Sequence, residues 1–173
     1  NLGALVDQLA DDVPDRQAWY FFESGERRTF GELREEVNRL ANGLAAIGVS
    51  PGTHVGVMLP NVPALPLTWL ALARIGAVMV PVNVRYTAHE LEYVMDDSHA
   101  SFLVVDTEFL PAVTTLRQRP GFDAGVILHG GDVTGLRSFD AIRAGQEAIY
   151  RGPAPETDDL LNIQYTSGTT GLP

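Results

Sequence analysis

The side chains best suited to chemistry lie near the end of the chain, where positions 165–173 read Tyr-Thr-Ser-Gly-Thr-Thr-Gly-Leu-Pro. Four hydroxyl residues, Thr166, Ser167, Thr169 and Thr170, are interleaved with Gly168 and Gly171. Glycine permits positive φ and close backbone approach, and successive N–H groups together with Ser and Thr hydroxyls can converge on phosphate oxygens. On composition alone such a tract is a solvated linker. The apolar run Leu160-Leu161-Asn162-Ile163-Gln164-Tyr165 leading into it changes that reading, because it has the pattern of a strand. Ligands of open α/β sheets bind beyond the carboxyl ends of strands, so a phosphate-binding loop is expected there. The loop is not a Walker A sequence, having no Gly-Lys followed by Ser or Thr, and it is not a Gly-x-Gly-x-x-Gly dinucleotide fingerprint.

The elements that must carry this loop can be read upstream. From residue 54 the chain alternates strand patterns, over 54–59, 77–82, 101–105 and 124–128, with helix patterns over 63–75, 88–96 and 108–119. A short helix over 139–144 precedes the connector Gly152-Pro153-Ala154-Pro155-Glu156. This rhythm requires right-handed crossovers and builds a parallel sheet covered by helices, and the near-continuous Val, Leu and Ile content of the strands fits burial on both faces. Before residue 54, residues 1–12 predict a helix with Leu2, Leu5, Val6 and Leu9 on one side, and residues 18–22 and 27–29 flank a Gly-containing turn as a hairpin. Thr29-Phe30-Gly31-Glu32 has capping-box spacing and opens a helix whose Leu33, Val37, Leu40, Leu44 and Ile47 form one stripe, with Gly48 as its stop. A second capping box, Thr87-Ala88-His89-Glu90, opens the helix over 88–96. The expected fold class is α/β, a mainly parallel sheet with helices on both faces, preceded by a hairpin and a helix.

Composition bounds the partners. The 173 residues hold 12 Lys and Arg against 22 Asp and Glu, a formal charge of −10, which argues against a nucleic-acid backbone or an anionic membrane surface as the main partner. Any anion site must be local. There is no cysteine, hence no disulfide and no thiol nucleophile, and the acidic Asp7, Asp11 and Asp12 are unlike a secretory leader, so a cytoplasmic protein is expected. The apolar stretch 64–82 approaches the length of a membrane span, but Arg74, Pro66, Gly76 and Pro81 favour a buried helix followed by a buried strand, with no transmembrane segment.

Residues 165–173 resemble the signature loop of the adenylate-forming superfamily, most nearly that of its acyl-CoA synthetases. Thr29-Phe30-Gly31-Glu32-Leu33 is similar to that family's first core motif, and residues 72–83, Leu-Ala-Arg-Ile-Gly-Ala-Val-Met-Val-Pro-Val-Asn, to its second, in the same order and spacing. The resemblance implies a two-step ligase in which a carboxylate attacks the α-phosphate of MgATP to give an acyl adenylate and pyrophosphate, and coenzyme A then takes the acyl group. It implies ATP, Mg2+ and coenzyme A as cofactors, a small carboxylic acid as substrate and a setting such as fatty acid metabolism. Carried over, Thr166, Ser167, Thr169 and Thr170 supply hydroxyls to the β- and γ-phosphates, and Gly168 and Gly171 the necessary backbone freedom. The family's following lysine and its adenine, ribose, metal and catalytic-lysine motifs lie beyond Pro173. No catalytic residue and no metal site is therefore expected within residues 1–173, which are expected to be inactive alone and to need the remainder of their own chain. By the same resemblance, residues 1–52 belong to a second sheet completed by other sequence, and residues 53–173 form a βα subdomain ending in the loop. Homo-oligomerisation is left open.

Two other enzyme types share this loop, an adenylation domain that loads a carrier protein and a luciferase-like oxidase. A third reading, of another class, is a non-catalytic nucleotide- or partner-binding α/β module. Among the remaining candidates, His54, His89, His99 and His129 lack metal-ligand spacing, and Asp96-Asp97 and Asp158-Asp159 read as solvated acidic pairs. Trp69 and Met79 read as core, Gly76 as a helix stop, and Arg85 and Tyr86 as loop residues.

Overall fold

Residues 2–166 are described by a computed structural model, in which the chain opens with helix α1 (Leu2–Asp12), hairpin strands β1 (Gln17–Phe21) and β2 (Glu26–Thr29), and helix α2 (Phe30–Ala46). Thr29 starts α2 as its spacing requires: its Oγ1 accepts from the Glu32 N–H at 3.3 Å, and the Glu32 carboxylate accepts from the Thr29 N–H at 2.9 Å. Leu33, Val37, Leu40 and Leu44 form the buried stripe. The hairpin is a two-stranded sheet of its own.

The chain continues through β3 (His54–Met58), α3 (Ala64–Ile75), β4 (Val78–Pro81), α4 (Ala88–Asp97), β5 (Phe102–Asp106), α5 (Thr114–Arg117), β6 (Val126–His129), β7 (Arg137–Ser138) and α6 (Phe139–Arg143). The main sheet has the order β4-β3-β5-β6-β7, every neighbouring pair parallel. Its side chains alternate between two apolar layers. Val55, Val57, Met79, Val104 and Ile127 face α2 and α3, whereas Met58, Val80, Leu103, Val105, Val126 and Leu128 face α4 and α5. Helices thus cover both faces, as the strand–helix rhythm requires. Gly56 permits the second layer's close packing, since a Cβ there would stand 2.6 Å from the Met95 sulfur.

The stretch 64–82 is helix α3 and then β4, separated by Gly76 in the left-handed region at φ 83°. No helix among the described residues is long and apolar enough to cross a membrane.

Four sequence expectations need correction, and one strand was not expected. The helix expected over 108–119 is a 3₁₀ segment, Thr107–Val113, followed by the short α5. Pro111 explains it, having no N–H to sustain an α-helical ladder. In α1 the buried residues are Gly3, Val6 and Ala10, while Leu5 is 49% exposed. The turn is imposed by Arg74 of α3, which donates to the Asp7 carboxylate at 2.7 Å and to the Gly3 carbonyl at 3.1 Å and so draws that face of α1 inward. Trp69 is 37% exposed rather than core. The strand expected over 160–165 is an extended segment holding only one isolated bridge. Finally β7, which is only two residues long, leaves no pattern in the sequence.

Candidate functional site

The segment that feeds the hydroxyl-rich loop runs along β4. Met79 donates its N–H to the Leu161 carbonyl at 3.1 Å, and Ile163 donates back to the Met79 carbonyl at 3.0 Å, forming a parallel bridge between Met79 and Asn162. Being parallel to β4, the segment exits at the carboxyl edge of the sheet, the side on which α/β sheets bind ligands.

Side chains alternate along the segment with the period of a strand. Ile163 and Tyr165 pack into the apolar layer beneath α4. Asn162 and Gln164 point to the opposite side, where with Leu65, Trp69, Met79 and Pro81 they line an open cavity of about 320 Å³. Trp69 is exposed because it forms part of this cavity wall, a distinction that apolar sequence alone does not carry.

Tyr165 makes directed side-chain contacts to α4. Its hydroxyl donates to Asp97 Oδ2 at 2.6 Å, and its ring meets Tyr93 edge to face, centroids 6.3 Å apart. Burial first, then the hydrogen bond to Asp97 and its negative charge, push the hydroxyl up to about 12, so it is a neutral donor across the physiological range. Thr166, the first of the expected phosphate ligands, is exposed. Ser167, Gly168, Thr169, Thr170 and Gly171 lie outside the described residues.

The acidic pair Asp96-Asp97 is not simply solvated. Arg119 donates to both Asp96 oxygens and to Glu92, which holds the Asp96 carboxyl below its ordinary range, while Asp97 serves Tyr165. Sequence reasoning missed this division of labour. A usable signal was present, since an acid in the last turn of a helix opposes the helix dipole and implies a partner outside it.

The other candidates resolve into structural roles. His54 Nδ1 lies 2.5 Å from the Ser98 carbonyl, and His129 Nδ1 lies 2.7 Å from Asp106. Asp159 accepts from the Glu156 N–H in a turn, Arg85 donates its N–H to Asn83, and Tyr86 packs on the second apolar layer. Among the described residues no group of three His, Cys, Asp or Glu side chains is placed to hold a metal ion. A larger cavity of about 590 Å³ beside α2 and α6 is lined by Arg28, Glu36, Arg39, Asp140 and Arg143 among others. Its cations are already engaged, Arg28 with Glu36 and Arg143 with Asp140, so it offers little to an anion.

Residues 6–173 match the family described as AMP-binding enzyme. The crotonobetaine/carnitine–CoA ligase of Salmonella paratyphi A is 35% identical over all of this chain, which spans 35% of that relative's length. Among solved structures, the N-terminal domain of FACL13 from Mycobacterium tuberculosis superposes with a TM-score of 0.88 at 29% identity, covering 99% of this chain and 42% of that one. The anthranilate CoA ligase AuaEII, solved in complex with anthranoyl-AMP, gives a TM-score of 0.87 at 27% identity, covering 97% of this chain and 33% of that one.

Proposed function

The chain belongs to the AMP-binding enzyme family, and on that premise we propose that it is the N-terminal part of an ATP-dependent acyl-CoA synthetase. The chain spans about a third of the curated relatives it matches, so the proposal concerns the whole protein to which these residues contribute. In the first step a carboxylate oxygen attacks the α-phosphorus of ATP, the bond from that phosphorus to the bridging oxygen breaks, and pyrophosphate leaves. In the second a thiol, that of coenzyme A, attacks the acyl carbonyl and AMP departs.

Within this scheme residues 166–171 hold the β- and γ-phosphates. Thr166, Ser167, Thr169 and Thr170 offer hydroxyls, and Gly168 and Gly171 let the backbone N–H groups approach. Donors fixed before reaction stabilise the charge that develops on leaving pyrophosphate without having to reorganise. The observation that supports the reading is the parallel pairing of residues 161–163 with Met79, which directs the described end of the chain, through Thr166, toward the carboxyl edge of the sheet. The Mg2+ that accompanies ATP is assigned no ligand here, since the described residues offer no set to hold it. The relatives act on chemically different acids, so only the class, a small carboxylic acid, is carried over. We further propose that the hairpin β1–β2 joins a second sheet supplied by the rest of the protein.

The test is carboxylate-dependent ATP–pyrophosphate exchange by the whole protein, followed by thioester formation with free coenzyme A. Exchange is expected, and Ser167→Ala or Thr169→Ala should lower it about 100-fold by removing one donor to the leaving group. Absence of exchange across a panel of carboxylic acids overturns the reading. Exchange without thioester formation redirects it to carrier-protein loading.

A further inference from the structure

The backbone hydrogen bonds that tie residues 161–165 to the sheet are the two exchanged with Met79. Two bonds around one residue locate a segment but do not fix its direction beyond the bridge. Whatever aims the loop must act between Ile163 and the loop itself, and the side chain there with a directed polar contact is Tyr165.

We propose that the Asp97–Tyr165 hydrogen bond, backed by the Tyr93 ring, is a positioning device that aims the phosphate loop at the nucleotide. The inference rests on the reading of residues 166–171 as the phosphate grip. Three observations on the supporting side carry it. First, α4 is a rigid platform: the Thr87–Glu90 capping box closes its start, Leu91, Val94 and Met95 are buried, and Arg119 staples Glu92 and Asp96 from outside. Second, the turn after α4 is locked, with the Ser98 hydroxyl on the Val94 carbonyl and the Ala100 N–H on the Met95 carbonyl. Third, Asp97 is a poor choice for the helix that carries it. A carboxylate in the last turn faces the negative end of the dipole and stands beside a second carboxylate, Asp96. Within α4 that residue is a cost, and its gain lies across the gap, where it orients the Tyr165 hydroxyl. Tyr165 thus acts through the loop and is not itself a phosphate ligand.

The experiment uses the whole protein with Tyr165→Phe, Asp97→Asn and the double variant, reading KM for ATP and for the carboxylate in pyrophosphate exchange together with Tm. Each single variant should raise the KM for ATP about 10- to 100-fold, the worth of one hydrogen bond to a charged group, and the double variant should be no worse than either. The KM for the carboxylate should hold within about twofold. Asp97→Asn should leave Tm unchanged or raise it, since it relieves the helix end. An unchanged KM for ATP in both single variants overturns the proposal, as does a rise that merely follows a falling Tm and affects both substrates alike. A wild-type protein without exchange fails the underlying reading and takes this proposal with it, an outcome distinct from exchange that the variants do not alter.

Discussion

Asp97 and Tyr165 have a measurable signature apart from any activity. The hydroxyl is held neutral, its titration moved from the ordinary 10.0 to about 12, first because burial disfavours the ionised form and then because ionising it would break its hydrogen bond to Asp97 and place a second negative charge there. In the unfolded chain it ionises first. The folded state therefore binds more protons than the unfolded one over this interval, and the stabilisation present below pH 10.0 is lost as pH rises toward about 12. Urea unfolding across that range should show wild type losing more stability than Tyr165→Phe, and Asp97→Asn should bring tyrosinate absorbance forward to lower pH. Arg74 makes a second residue-scale prediction. Its side chain is 13% exposed and depends on Asp7, so Asp7→Ala should cost about 1–3 kcal/mol by chemical denaturation. An added Arg74→Met should recover part of that loss, because it removes the stranded charge.

At the scale of elements, the start of each capped helix was written in a few residues. Thr29 and Thr87 each accept from the third residue of their helix, so Thr29→Ala and Thr87→Ala should each lower stability by about 1 kcal/mol. Glycines that admit a neighbour were less easily read. A Cβ on Gly43 would stand 2.1 Å from the Ile142 carbonyl oxygen, a backbone atom, whereas one on Gly56 meets the thioether of Met95, which can swing aside. Gly43→Ala should therefore destabilise more than Gly56→Ala, by about 1–3 kcal/mol, and thermal melts would rank the two. Local sequence revealed caps, stops and the βα alternation because those depend on contacts within a few residues. It did not reveal the strength of pairing at residues 161–165 or the face that α1 turns inward, whereas the 3₁₀ geometry after β5 was available locally in Pro111. The first two are settled by partners far along the chain, Met79 and Arg74. Trp69 shows the same limit, since an apolar run identifies a buried element but not which of its side chains borders an open cavity. Of the candidate site, the hydroxyl and glycine residue types proposed for the loop stand in the sequence, while the contact of Tyr165 with Asp97 beside it did not show there.

At the scale of the whole molecule, two apolar layers grip one sheet, and α1 is tied across the outside by the Arg74 contacts. Phe22, Leu160 and Trp69 remain exposed at 77%, 53% and 37%, on the hairpin, at the start of the extended segment 160–165 and on the cavity wall. With the chain spanning 42% of the matched N-terminal domain, we expect a polypeptide of residues 1–173 to melt below the whole protein and to show no pyrophosphate exchange. Differential scanning calorimetry and the exchange assay check the two halves of that statement.

The three methionines are graded in their enclosure: Met58 is fully buried, Met95 is 2% exposed, and Met79, which shares the cavity wall with Trp69, is 6% exposed. Thioether sulfur is converted to sulfoxide only where an oxidant can reach it. Dilute peroxide followed by peptide mass spectrometry should modify Met79 first, since it is the methionine that borders an open cavity at the sheet edge. Met95, closed between Gly56 and Leu103, should follow only at the rate of global opening. The chain thus carries its own chemical clock, one sulfur timing the breathing of the sheet edge that leads into the loop and two timing the unfolding of the domain.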